Sequence, residues 1–312
     1  MVAKFLSKVE FLPFSEQLQD LTSGENSRRW LAVLTFAPLI IFFVTIWFLP
    51  ILYSLGLSFF ERSVLSTEMT WIGLENYRSL LGEAEFWRSL WNGIIYAVST
   101  TSLSILLGLM FALLVNKPFF GQRLTRTMMM LPYMVPSVVT IALWQWILAP
   151  SGITNHYLQS VGITNANIEF FSSITWAMPS LVIASTWIYT SFAFFTILAR
   201  LQGIPESYYE RAKVEGATQL QMFRDITLPN LRGVILLVAL VRGIFLFNKF
   251  DIIFVATKGG PLGATKTLPI MIYEVVFMDY NLGRGTALAG ILFVILSVGA
   301  VVYFRVFQPS KE

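Results

Sequence analysis

Six long apolar runs divide the chain, at about 31–56, 90–115, 127–148, 174–198, 234–256 and 287–307, with polar stretches between them. Each is close to the ~20 mainly apolar residues that a helix rising about 1.5 Å per residue needs to cross a hydrocarbon layer about 30 Å thick. The first four runs contain no Asp, Glu, Lys or Arg, and the sixth meets its first at Arg305. Only the fifth, Val234 to Ala256, carries charge in its interior. Nothing alternates in segments of roughly ten residues as strands of a transmembrane β-barrel would. The pattern predicts an all-α, polytopic membrane protein with six transmembrane helices.

The run from Leu31 lies behind 29 mostly polar residues and far exceeds the roughly 7–15 apolar residues of a signal peptide, with no small-residue cleavage site after it. It is expected to be a retained span, so residues 1–29 form a tail and residues 30–312 the transmembrane domain. Within the tail, Phe5, Leu6, Val9, Phe11, Leu12, Phe14, Leu18 and Leu21 make a mixed apolar pattern interrupted by Pro13. That pattern suits a short interfacial helix, an element docking on a partner, or a partly ordered tail.

Composition removes whole classes of function. Of 312 residues, 55% are apolar and only 13% charged, where a water-soluble domain carries roughly 25% charge. Mean hydropathy is +0.66. With no Cys, a disulfide scaffold and thiolate chemistry are excluded. The single His, His156, stands in a polar segment without ligand-spaced partners, so no metal site is expected. A net charge of +4, from 22 basic and 18 acidic residues, is too small and scattered for a nucleic-acid footprint.

Charge matters by position. With the amino terminus in the cytoplasm, inner segments hold about 14 Lys and Arg, among them Lys4, Lys8, Arg28, Arg29, Arg123, Arg126, Arg200, Arg211, Lys213, Arg224, Arg232 and Lys311. Outer segments then hold about 6: Arg62, Arg78, Arg88, Lys258, Lys266 and Arg284. Both termini are therefore expected to be cytoplasmic, with outer loops at about 57–89, 149–173 and 257–286. A long polar inner loop covers 199–233.

That inner loop reads Pro205-Glu-Ser-Tyr-Tyr-Glu210-Arg-Ala212-Lys-Val-Glu215-Gly216-Ala217, then Ile226-Thr-Leu228-Pro229 nine residues on. Pro205 suits a helix start, and Glu206 and Glu210 lie near its positive end. Small Ala212 and Ala217 permit close approach, and Gly216 a sharp turn into a second short helix that Pro229 would end or bend. By itself the segment also fits an amphipathic linker lying on the inner leaflet. The spacing Glu210-Xaa-Ala212-Xaa-Xaa-Glu215-Gly216-Ala217 with Ile226-Xaa-Leu228-Pro229 resembles the EAA loop of permease subunits in binding-protein-dependent ABC importers. Arg211 stands where that family usually has Ala, and Glu215 where it often has Asp. Gly73-Leu-Glu-Asn-Tyr77, Leu131-Pro-Tyr-Met-Val-Pro-Ser137 and Gly259-Gly-Pro261 extend the resemblance over most of the chain and toward the sugar branch, in particular the substrate-contacting permease of maltose transporters.

The resemblance implies EAA coupling helices between the fourth and fifth spans, with Glu210, Ala212, Glu215, Gly216 and Ala217 seated against an ATP-hydrolysing partner. It implies a second permease subunit, two ABC ATPase subunits and an extracytoplasmic substrate-binding protein as partners, in a bacterial or archaeal inner or plasma membrane. No cofactor belongs to this chain, because ATP and Mg²⁺ would sit on the partners. The sequence has no Gly-Xaa4-Gly-Lys-Ser/Thr phosphate loop, and it is not expected to be an enzyme. Gly283-Arg-Gly285 with Gly290 is a poor dinucleotide turn, since it precedes a span and follows no strand.

Charge inside a span is costly and marks a functional site unless it is paired or reaches the interface. Arg242 stands near the middle of the fifth run, with Lys249 at i+7 and Leu246 between them on nearly one helical face; Asp251 falls on a different face. Snorkelling of Lys249, pairing of Arg242 with helix carbonyls or an acidic partner, and local pairing of Asp251 are the alternatives. Matching through the family motifs places Tyr133, Ser137, Ser185, Tyr189, Phe192, Arg242, Leu246 and Lys249 at substrate-lining positions, an aromatic and polar set suited to a carbohydrate. Two cations where the maltose permease has neutral groups leave an anionic cargo, such as glycerol phosphate or an acidic oligosaccharide, as an alternative. Trp144 and Trp146, flanking Gln145, fit an interfacial aromatic belt. Outside the importer class, an ion-coupled secondary transporter should show paired intramembrane acids in two repeats, which are not seen. A membrane scaffold or receptor remains the other reading.

Overall fold

The computed structural model describes residues 25–307. The expectations placed on Phe5 to Leu21, and Lys311, lie outside the described residues. The described chain is predominantly helical. Among its residues, five helices are long and apolar enough to cross a membrane, and a sharply bent pair makes a sixth if counted as one span.

The helix α1 covers 25–57 through a π turn at Val44–Phe48. A small exception to the expected all-α fold follows: β1 (Phe60–Glu61) pairs antiparallel with β2 (Thr70–Trp71). Then come α2 (Glu75–Gly82) and α3 (Ala84–Asn116). At 33 residues α3 reaches about 50 Å, well beyond a hydrocarbon layer. It ends where Pro118 forces Lys117 to extended backbone, φ −74° and ψ 143°.

The third apolar run is not one continuous helix. It begins within α4 (Gln122–Met134) and ends with α5 (Ser137–Ile147), which meet at a 97° bend. The cause is local: Val135, preceding Pro136, is pushed out of the helical region to φ −76°, ψ 129°. After α6 (Ile153–Ser160) and α7 (Ala177–Gln202), the inner loop folds into α8 (Glu206–Val214) and enters α9 (Gln219–Phe247). Here too the expectation needs correction. The second helix of the loop is not a short piece ended by Pro229, but the beginning of the fifth span.

A π turn at Phe223–Thr227 lies just before Pro229, with the Leu228 N–H reaching back to the Phe223 carbonyl. The proline ring would otherwise press on the carbonyl four residues earlier, and the wider turn relieves that contact. The same arrangement precedes Pro50 in α1, where the Leu49 N–H reaches the Val44 carbonyl. The fifth span stops at Phe247 and does not continue to Ala256; a short α10 (Asp251–Thr257) follows the break. Finally come α11 (Leu268–Met278) and α12 (Leu282–Phe307).

Two compact units are distinguishable, one ending at Leu57 and one beginning at Ser58. In the first, the side chains of α1 from Val33 onward are almost all exposed. In the second, α3 and α7 form the centre. Tyr96, Leu181, Ile188 and Leu246 pack in one part of the core and Ala112, Ala193, Phe194, Ile197 and Leu231 in another. Small residues set the separation of α3 and α7: a Cβ on Gly108 would lie 2.8 Å from the Phe194 backbone nitrogen.

Polar bonds tie down the connection around 258–286. The Asn92 side-chain amide donates to the carbonyls of Gly263 (3.0 Å) and Lys266 (2.9 Å). Lys266 Nζ lies 2.6 Å from both Glu85 and Glu274, while Arg284 pairs with Glu83. Burial pulls the Lys266 pKa down, but the bonds and charges of Glu274 and Glu85 outweigh it and hold the ammonium above its ordinary 10.5. Gly283 donates to the Arg62 carbonyl at 3.1 Å, and a Cβ there would collide with the Phe60 carbonyl. Its glycine serves packing.

Candidate functional site

The bent third span, α7 and the broken fifth span line a cavity of about 480 Å³. Tyr133 and Ser137 come from the bend between α4 and α5, Ile188, Tyr189 and Phe192 from α7, Arg242 and Leu246 from α9, and Lys249 from the break after it. Seven of the eight sequence-predicted lining residues are thus brought together. Ser185 is not: it is fully buried in α7, and its hydroxyl is 2.7 Å from that of Tyr96.

Arg242 is only 7% exposed. Its guanidinium carbon lies 4.0 Å from the ring centre of Phe192, 5.0 Å from Tyr189 and 5.4 Å from Tyr133. The electron-rich ring faces offset part of the cost of burying the cation. Helix carbonyls do not complete the job, since Nε and Nη2 are buried without a hydrogen-bond partner among the described residues. Lys249 has a different fate. Its Nζ is 2.9 Å from Asp251 Oδ1 and 6.0 Å from the Tyr189 ring centre. The second oxygen of Asp251 accepts a 2.5 Å bond from Ser137 Oγ. Asp251 was not predicted to belong here. Helical geometry carried through 248–250 turns it away from Lys249, whereas the break brings the two together and ties them to α5.

The inner loop forms a helical hairpin. Pro205 occupies the N-cap of α8, and Glu206 lies in the first turn. At the other end, the Ala217 N–H reaches the Ala212 carbonyl (2.8 Å) and the Gly216 N–H that of Lys213 (3.0 Å), closing the helix as a Schellman motif. Gly216 supplies the required left-handed backbone at φ +82°. No atom lies within 4 Å of where its Cβ would be, so backbone conformation, not close approach, explains the glycine. Thr218 and Gln221 then start α9 with a reciprocal capping box.

Between α8 and the beginning of α9 lies a groove of about 490 Å³, lined by Tyr208, Ala212, Glu215, Ala217, Met222 and Asn230 among others. Val214 and Leu220 project freely beside it, 89% and 75% exposed, and Glu210, Glu215 and Gly216 are exposed as well. Tyr209 is partly buried and bonds Thr227 at 3.0 Å.

The remaining candidates recede. His156 is exposed on α6, and among the described residues no three His, Cys, Asp or Glu side chains gather to hold a metal. Trp146 is 73% exposed, as an interfacial ring would be, while Trp144 packs partly on the core and Gln145 donates to the Ala256 carbonyl at 3.0 Å.

The family model for binding-protein-dependent transport system inner membrane components matches residues 104–311. The trehalose/maltose transport system permease protein MalF of Thermococcus litoralis is 31% identical over 286 residues, 90% of this chain and 95% of that protein. The sulfoquinovosyl glycerol transport system permease protein SmoG of Agrobacterium fabrum is 33% identical over 284 residues, 90% and 92% of the two chains. In fold, the chain is similar to one in the crystal structure of a bacterial alginate ABC transporter in complex with an alginate pentasaccharide-bound periplasmic protein. The TM-score is 0.78 at 21% identity, with 90% of this chain and 95% of that one covered.

Proposed function

The chain belongs to the family of binding-protein-dependent transport system inner membrane components, and from that premise we propose that it is a six-span permease subunit carrying a carbohydrate inward by alternating access. Both termini and the α8–α9 hairpin lie in the cytoplasm, consistent with the excess of Lys and Arg in those segments. A second permease, two ATP-hydrolysing subunits and an extracytoplasmic binding protein complete the assembly. This chain contributes the path and the linkage and performs no hydrolysis.

The observation that carries the reading is that one helix joins the two sites. α9 starts in the exposed hairpin at Gln219 and delivers Arg242 to the cavity, an axial distance of about 35 Å. A force applied at the hairpin is therefore transmitted along a hydrogen-bonded rod to the wall of the cavity. Glu210, Ala212, Glu215, Gly216 and Ala217 provide the seat for the ATPase, and the aromatic and polar cavity takes the sugar, rings against its flat faces and polar groups at its rim. The carbohydrate class is supported by the named cargo of the relatives, trehalose and maltose for one and sulfoquinovosyl glycerol for the other.

The test is transport in vesicles holding the complete assembly. Gly216→Trp should insert and assemble yet lose most ATP-driven uptake while ATP hydrolysis persists, because a bulky side chain and a strained bend displace the hairpin from its seat. Wild-type uptake by that variant would count against the linkage.

A further inference from the structure

The two cations of the cavity are not equivalent, and their difference describes the cargo. Lys249 already has a counter-ion at 2.9 Å, and Asp251 is held on its other oxygen by Ser137. Among the described residues Arg242 has none: three rings surround its charge, yet Nε and Nη2 remain buried and unpartnered. Ring faces attract the charge of a guanidinium, whereas its N–H groups radiate in its own plane and need acceptors there. Two donors on one planar edge match the two oxygens of an acidic group. As the side chain stands this edge is closed off, so a turn of the guanidinium toward the cavity accompanies binding, and an acceptor there removes the cost of the unmet donors.

We propose that the cargo is a carbohydrate bearing one singly charged acidic group, received by Arg242 within its ring of Phe192, Tyr189 and Tyr133, and that Asp251 sets this selectivity by neutralising Lys249. Counting Arg242, Lys249 and Asp251, the cavity and its wall hold one net positive charge. A neutral sugar leaves the Arg242 edge without an ionic partner. A doubly charged phosphate ester finds only one uncompensated cation. The proposal rests on the cavity being the cargo site. Asp251 acts through Lys249, so it is a positioning residue.

Calorimetric titration of the assembled transporter without ATP, at about pH 8 where a phosphate monoester is dianionic, separates these cases. The probes are methyl β-D-glucuronide, methyl β-D-glucoside and glucose 6-phosphate. The glucuronide should bind about tenfold or more tightly than the glucoside. Arg242→Gln should abolish that preference, whereas Arg242→Lys, which keeps the charge without the fork, should retain part of it. Asp251→Asn should release Lys249 and shift the preference by about tenfold toward glucose 6-phosphate, a reversal that mere loosening of the structure would not produce. Equal affinity for glucuronide and glucoside, a preference that survives Arg242→Gln, or an unchanged preference in Asp251→Asn overturns the proposal. If the glucoside binds best and its binding is lost with Phe192→Ala, the charge assignment fails while the cargo site stands. If none of the three binds, the cargo-site reading fails with it.

Discussion

At Arg242 a cation is held by rings, at Lys249 by a carboxylate, and at Ser185 a hydroxyl expected in the cavity is spent on Tyr96 instead. These outcomes show what residue-level reading can and cannot reach. Seven of the eight positions placed by matching through the family motifs meet at one cavity. Ser185 sits one turn from Tyr189 on α7, but the fully buried Tyr96 hydroxyl claims it at 2.7 Å. Its replacement should therefore act on stability and not on cargo. Ser185→Ala strands the Tyr96 hydroxyl and should cost about 1–3 kcal/mol, read as a lower unfolding temperature of the purified assembly, with cargo affinity at the wild-type value. A matching loss of affinity without loss of stability would return Ser185 to the cavity wall. Local pairing is among the readings the sequence allows for Asp251, and its partner is Lys249; its tie to Ser137 is not, because that depends on a chain break that no apolar pattern reveals.

Helices one, two, four and six were readable as elements because an uninterrupted apolar run and a helix impose the same demand on the sequence. The third and fifth runs were equally apolar, yet one bends through 97° and the other stops at Phe247. Hydropathy sums over a window and is blind to where backbone hydrogen bonds cease. Val135–Pro136 carried a readable signal in the restriction that proline places on its predecessor; Asn248-Lys249-Phe250 carried none comparable. The π turns before Pro50 and Pro229 explain why Pro229, expected to end or bend a helix, and Pro50 are both absorbed into long helices. In the connection before α11, Lys266 joins Glu85 on α3 to Glu274. Because its folded pKa is raised above 10.5, this contribution is fully present below that pH and is lost as pH climbs through the higher folded value. Lys266→Met should accordingly lower thermal stability at neutral pH, and the deficit relative to wild type should shrink in strongly alkaline buffer. A deficit that is constant with pH would mean that packing of the lysine stem, and not its charge, is what the variant lost.

For the molecule as a whole, the closest helix packing is between α3 and α7. α3 and α7 meet backbone to backbone at Gly108, where any side chain would be driven into Ala193 and Phe194. Gly108→Val should therefore destabilise by about 1–3 kcal/mol or more, seen as reduced recovery of assembled transporter and an earlier unfolding transition. Recovery and melting equal to wild type would show that the two helices can part without cost. The π turn at Phe223–Thr227 lies in α9 between the hairpin and the cavity, and it has a consequence for angle as well as for Pro229. One additional residue in a helical turn rotates everything beyond it by about 100°. The direction in which Arg242 points is thus phased against the direction in which the hairpin presents its groove, and the turn sets the angle between them.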